Sequence, residues 1–219
     1  MRIIELKETV TASNDRDAEV LRSELKGKGT LLINLMASPG AGKTTLLERT
    51  IRDMKDRFKI AVMEADVDSD VDAVRVEKLG AKAIQAHTGG MCHMDAGMTR
   101  TALEELGEER FDLVVLENVG NLICPAEFDT GAQKRVMLLS VPEGDDKPLK
   151  YPLMFTVSDV LIITKTDVAP YFDFDTEACI KRARGLNPDI EVFEVSSKTG
   201  DGFEAWENWL ENAIKDWKK

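Results

Sequence analysis

The stretch Ala37-Ser38-Pro39-Gly40-Ala41-Gly42-Lys43-Thr44-Thr45 carries the densest chemical signal in the chain. Its glycines let successive backbone N–H groups curl around phosphate oxygens, its lysine can reach β- and γ-phosphates, and the hydroxyl that follows can meet Mg²⁺. The pattern is a P-loop in which Ala37 stands where glycine is usual. Its expected nucleotide contacts are Ser38, Gly40, Ala41, Gly42, Lys43, Thr44 and Thr45. An apolar run precedes the loop and helical spacing follows it, which places the positive end of a helix dipole under the phosphates. An ordinary strand-to-helix turn is the alternative.

Such a loop needs carboxylates from neighbouring strand ends to hold the metal and its waters. Asp66 closes the second apolar run, and Glu117 closes the fourth in Glu117-Asn118-Val119-Gly120, a glutamate form of the D-x-x-G turn whose glycine amide can sense a γ-phosphate. Thr44, Asp66 and Glu117 form the expected Mg²⁺ shell. Asp66 has a second reading, as the end of a strand in an acidic loop with Asp68, Asp70 and Asp72. A carboxylate ending a buried strand, as Glu117 does, is costly without a cation or a hydrogen-bond partner. Lys43 and the metal would neutralise developing charge, and Asp66 or Asp72 would orient the attacking water. No arginine finger is assignable, so unassisted turnover is expected to be slow.

Base choice is written later in the chain. Thr164-Lys165-Thr166-Asp167 matches the guanine motif N-K-x-D except at its first position, and Ser196-Ser197-Lys198 matches the S-A-K turn. An aspartate accepts both N1–H and the N2 amino group of guanine, a pair that adenine does not offer. Lys165 would lie along the base plane, with Asp167, Ser197 and Lys198 completing the pocket. GTP is therefore favoured over ATP. Thr164 replaces the usual asparagine, which removes one loop-bracing amide.

A separate set of soft donors follows. Cys92 and His93 are adjacent in a glycine-containing loop, and Cys124 lies seven residues after Glu117. Thiolate and imidazole suit Zn²⁺ or Ni²⁺, but a closed tetrahedral site wants four ligands, so the fourth position is open or shared. The same residues also read as two small buried thiols and a satisfied histidine. Because Cys124 is four residues beyond Gly120, a loop that moves with the γ-phosphate would also move a metal ligand. His87, at a strand end, reads as structural.

These groups need a frame. Seven Val-, Ile- and Leu-rich runs, at 30–36, 59–64, 81–86, 111–117, 135–141, 160–164 and 191–195, alternate with segments of helical spacing. The pattern predicts a three-layer α/β P-loop NTPase fold, with a mostly parallel seven-stranded sheet covered by helices on both faces. Residues 1–28 read as a charged N-terminal helix packed on the P-loop domain formed by 29–219. The terminal segment from Phe203 to Lys219 reads as a core-packing helix rather than a membrane-surface one, because its polar face is acidic. The chain has 219 residues, a net charge of −11, three cysteines and two histidines. That charge argues against nucleic-acid binding. No run is long enough to span a membrane, and the first residues lack an export signal, so a cytoplasmic location is expected. The thiol count does not suit a disulfide framework.

Long runs then resemble one family, the nickel-inserting hydrogenase maturation GTPases of the HypB type, within the signal-recognition and MinD-like class of P-loop GTPases. The matching stretches are Ser38 to Glu48, an E-x-D loop at Glu64-Ala65-Asp66 continuing to Asp72-Ala73-Val74-Arg75, Gly90 to Ala96, Glu117 to Asp129 and Glu143 to Phe155. The resemblance implies a GTP-dependent homodimer with nickel or zinc held at the subunit interface by Cys92, His93 and Cys124. It also implies a guanine contact from Lys150 across the dimer, a nickel-binding accessory protein as partner, and a hydrogenase large-subunit precursor as recipient. Ala37, Ala65, Ser69 and Thr164 depart from the commoner family residues. The N-terminal cysteine motif and histidine-rich stretch that some members use for nickel storage are absent from the first thirty residues, so storage is not expected. The nearest rival, a urease-accessory GTPase, carries a Cys-Pro-His motif that this sequence lacks. A MinD-like positioning ATPase would carry a lysine where Ser38 stands, and a small-molecule kinase would need an acceptor pocket.

Overall fold

The strands lie on the apolar runs that predict them, with some ends shifted by a residue or two: β1 (Leu31–Ala37), β2 (Ile60–Asp66), β3 (Lys82–His87), β4 (Leu113–Glu117), β5 (Lys134–Ser140), β6 (Val160–Thr164) and β7 (Glu191–Val195). They form one sheet in the order β3-β2-β4-β1-β5-β6-β7. Every pairing is parallel, so the sheet is entirely rather than mostly so. A computed structural model describes the backbone of residues 6–66 and 71–219, and the side chains of residues 11–65 and 75–219.

Nine helices are described: α1 (Leu6–Lys28), α2 (Lys43–Met54), α3 (Val71–Lys78), α4 (Ala96–Glu105), α5 (Cys124–Glu127), α6 (Lys147–Lys150), α7 (Pro152–Val157), α8 (Thr176–Leu186) and α9 (Phe203–Lys218). Alternation along β1 separates the two faces, because successive side chains of a strand point oppositely. Leu31, Ile33, Leu35 and Ala37 pack with α2 and α9. On the other face Leu32 joins α1 and α4, and Met36 joins α7 and α8. Asn34 is the polar exception in this strand and is fully buried.

The apolar stripe of α9 lies against the first face: Phe203, Trp206, Leu210 and Ile214 are buried, and Trp206 Nε1 donates to Thr50 Oγ1 at 3.1 Å. That helix is core, as its acidic outer face predicts. Because all strands run the same way, the loops after β1, β2, β4, β5, β6 and β7 emerge along one edge of the sheet. Binding residues far apart in sequence meet there, in the crevice outside the carboxyl ends of the strands.

Candidate nucleotide and metal site

The loop after β1 turns through Gly40 and Gly42, with φ of +76° and +101°. Both values lie in the left-handed region that glycine reaches without a Cβ penalty. No side chain caps the start of α2, so its first N–H groups remain available to an anion. A cleft of about 560 Å³ opens there, lined by Gly40, Gly42, Lys43, Thr44, Glu117 and Lys165 among others. Thr45 also lines it. Thr44 Oγ1 donates to Glu117 Oε1 at 3.1 Å, which brings two expected Mg²⁺ ligands together. Asp66 ends β2 and Asp72 lies in α3, but both side chains fall outside the described residues.

The remaining P-loop residues have structural partners. Ser38 Oγ donates to Glu143, and the same carboxylate accepts from Ser140 N–H at 2.8 Å and Ser140 Oγ at 2.7 Å. Ser38 thus ties the loop to the end of β5. Ala41 is fully buried, and its carbonyl accepts from Thr164 Oγ1 at 2.7 Å. The threonine that departs from the guanine motif therefore supplies a brace of its own. Lys165 has φ of +60°, and its Nζ donates to the Gly40 carbonyl at 2.7 Å.

Asp167 Oδ1 accepts from Ser196 Oγ at 2.8 Å, which joins the turn after β6 to the turn after β7 that holds Ser197 and Lys198. Asp167, Ser197 and Lys198 do not line the P-loop cleft; they lie in the turns that follow β6 and β7. Lys150 is exposed on α6 and paired with Asp146, whose hydrogen bond and charge raise its pKa.

The soft donors converge. One ligand atom each from Cys92, His93 and Cys124 lies within 4.8 Å of the others, and among the described residues no other cluster of this kind is found. Cys92 Sγ is 2.7 Å from Cys124 Sγ and 3.7 Å from His93 Nδ1. The hydrogen bond with Cys92, then burial, pushes the Cys124 thiol up. His93 is buried and stacks on Phe128, with ring centroids 4.0 Å apart. Burial pulls its pKa down against the opposing pull of Asp95 and Glu127, which favours the neutral imidazole a metal needs. Directly after this loop Asp95 caps α4, accepting from Met98 N–H at 2.8 Å.

A P-loop cleft and a Cys-His-Cys cluster joined by one short loop match known proteins along nearly the whole chain. Residues 31–194 match the family model described as CobW/HypB/UreG, nucleotide-binding domain. The hydrogenase maturation factor HypB of Rhizobium leguminosarum bv. viciae is 46% identical over 210 residues, covering 96% of this chain and 70% of the relative. The chain belongs to the HypB family. The crystal structure of HypB from Helicobacter pylori in complex with nickel superposes with a TM-score of 0.88 at 39% identity, covering 93% of this chain and 96% of that one. The signal recognition particle receptor FtsY of Elizabethkingia anophelis, in complex with GDP, shares the fold alone, with a TM-score of 0.54 at 14% identity.

In this HypB family member the site also includes residues outside the expected ligand and contact set. Glu64 pairs in register with Glu117 on the adjacent strand, and both carboxylates are buried at the cleft. Arg75, in α3 and the last residue of the Asp72-Ala73-Val74-Arg75 stretch, also lines the cleft. Phe128 clamps His93 from the loop that carries Cys124. Asn14 of α1 accepts from Ala96 N–H and donates to the Asp129 carbonyl, both at 2.9 Å, stapling the two donor loops to the N-terminal helix. Asn118 and Phe128 lie within the Glu117 to Asp129 stretch that resembles the family, which marks the run but not these residues' contacts; Asn14 carries no sequence signal.

Proposed function

We propose that this chain is a GTP-hydrolysing nickel chaperone for hydrogenase maturation, working as a nucleotide-dependent homodimer in the cytoplasm. The observation that carries this reading is the short path between its two sites: Glu117 faces the P-loop cleft, and Cys124, seven residues on, touches Cys92. The P-loop amides, Lys43 and Thr45 would hold the phosphates, while Lys165, Asp167, Ser197 and Lys198 would select guanine. The hydroxyl of Thr44 and the carboxylates of Glu117 and Glu64 are hard oxygen donors at one wall of the cleft, a set that fits Mg²⁺. Thr44, Glu117 and Asp66 would hold that ion, which supplies charge neutralisation at the phosphates. Lys43 shares the task, and Asp66 or Asp72 orients the water.

Cys92, His93 and Cys124 would hold Ni²⁺ or Zn²⁺ as cargo. Thiolates around a tetrahedral ion with bonds of about 2.3 Å sit about 3.8 Å apart, whereas these two sulfurs are 2.7 Å apart. A bound metal would set the two sulfurs further apart, and because they stand on separate loops, a movement of one loop against the other would change metal affinity. Met91 and Ile123, each next to a donor in the chain, expose apolar side chains that a second copy would cover in completing the shared site. Lys150 would reach the partner's guanine. GTP would favour the dimer and the assembled site, and hydrolysis would release nickel toward a large-subunit precursor, with an accessory protein as its source.

Light scattering with GDP, a non-hydrolysable GTP analogue and Ni²⁺, on the native chain and on Cys124→Ala, tests ligation and assembly together. The native chain should double its mass with the analogue and bind metal in that state. Cys124→Ala should keep nucleotide binding and lose the metal. A native chain that stays monomeric in every condition removes the shared-site model.

A further inference from the structure

The nucleotide cleft and the soft-donor cluster flank the segment that follows β4, and two connections leave it. One is covalent, from Gly120 along the chain to Cys124. The other is a side chain. Asn118 is 1% exposed and lines the cleft, yet its Oδ1 accepts from Met94 N–H at 3.1 Å, and Met94 directly follows His93. The same oxygen accepts from Val119 N–H at 2.9 Å, and Nδ2 donates to Asn34 Oδ1 in β1 at 3.0 Å. Asn118 N–H donates to the Leu35 carbonyl at 3.0 Å. Asn118 is thus rooted in the central strand, stands in the wall of the nucleotide cleft, and holds the backbone of the Cys92–His93 loop.

Asn14 offers the contrast. It also grips both donor loops, through Ala96 and Asp129, but from α1 and away from the cleft. It fixes where the loops are, with no contact through which a nucleotide would act.

We propose that Asn118 is the positioning residue that carries the state of the nucleotide to the Cys92–His93 loop, so that both halves of the donor set respond together. The proposal rests on the reading that nucleotide controls metal affinity. With Asn118 in place, a shift of residues 117–120 drags the Met94 amide as well as Cys124. Without it only Cys124 follows, and the donors fall out of step.

The test is the ratio of Ni²⁺ dissociation constants with GDP and with a non-hydrolysable GTP analogue, in the full chain. A native ratio of about 5- to 150-fold, the usual span of coupling between sites, should fall to about one in Asn118→Ala. Asn118→Asp keeps an oxygen acceptor for Met94 N–H. Its second oxygen can take the Asn34 amide after a flip, since Asn34 Nδ2 is buried without a hydrogen-bond partner. It should restore the native ratio. Asn14→Ala should weaken metal binding in both states and leave the ratio intact. Asn118→Ser, whose hydroxyl is too short to reach Met94, serves if the alanine form does not fold. Hydrogen exchange at residues 91–95 should differ between nucleotides in the native and aspartate forms and not in the alanine or serine form. A native ratio preserved in Asn118→Ala, or lost equally in Asn118→Asp, overturns the role of Asn118 while leaving the underlying reading intact. A native ratio of one removes that reading, and this proposal with it.

Discussion

Gly120 offers a sharp probe of how closely the γ-phosphate loop is fitted to the P-loop. Its φ is not positive, so glycine is required here by proximity and not by backbone conformation. A Cβ at this position would lie 3.0 Å from Pro39 Cγ, 3.1 Å from Pro39 N and 3.2 Å from Pro39 Cα. Comfortable carbon contacts lie at about 3.5–4.0 Å, so Gly120→Ala must part the two loops by about half an ångström. Neither side yields easily, because the contact is with a proline ring and the main chain, and Asn121 N–H is tied to the Ala37 carbonyl at 2.9 Å. Overpacking of this kind costs about 1–3 kcal/mol, equivalent to about 5- to 140-fold in an equilibrium constant. Titration calorimetry with GDP and a GTP analogue, beside thermal unfolding of the nucleotide-free chain, apportions that cost. The expected result is a weakened analogue affinity within that range, a smaller loss for GDP, and a modest drop in Tm. Native affinity for both nucleotides with an unchanged Tm would refute the claim that these loops are in rigid contact.

Further outcomes follow from single contacts. Thr164→Val leaves the buried Ala41 carbonyl without its hydroxyl donor, and calorimetry should find GDP binding weaker by about 1–3 kcal/mol, with Thr164→Asn recovering most of it. Asp167→Ala should erase the preference for guanine over adenine nucleotides, read as the ratio of their dissociation constants, while the Ser196 hydroxyl loses its carboxylate acceptor. For Asp129, burial pushes the carboxyl up, but the Gly131 N–H bond and the Arg22 and Arg135 guanidinium groups outweigh it and hold the pKa below the usual carboxylate range. A depressed acid stabilises the fold above its unfolded pKa and loses that contribution as pH falls through the folded value. Denaturant unfolding should therefore show Asp129→Asn less stable than the native chain near neutrality, with the gap closing as pH drops below about 4.

The parts of this protein that are legible from residues alone are those set by local covalent pattern. Apolar runs of strand length alternating with helical spacing imply the parallel sheet, since strands buried on both faces cannot alternate with polar residues. Glycines with a following lysine and threonine imply the phosphate loop, because the geometry of that turn needs those residue types at that spacing. The adjacency of Cys92 and His93 likewise marks possible ligands. Pairings between distant segments are a different matter. Cys124 is 32 residues from Cys92, and their approach depends on β4 lying between β2 and β1, an order chosen by the packing of the whole sheet. The brace from Thr164 to Ala41 spans 123 residues, so that the residue replacing the motif asparagine holds the P-loop is visible only in the fold. Glu64 becomes a second carboxylate in the cleft through its register with Glu117. Asn14 and Asn118 become links because buried amides bond to whatever backbone groups the fold sets opposite them. A polar side chain's chemistry is local, but its partner is a property of three-dimensional packing, and here that packing turns two motifs into one connected site.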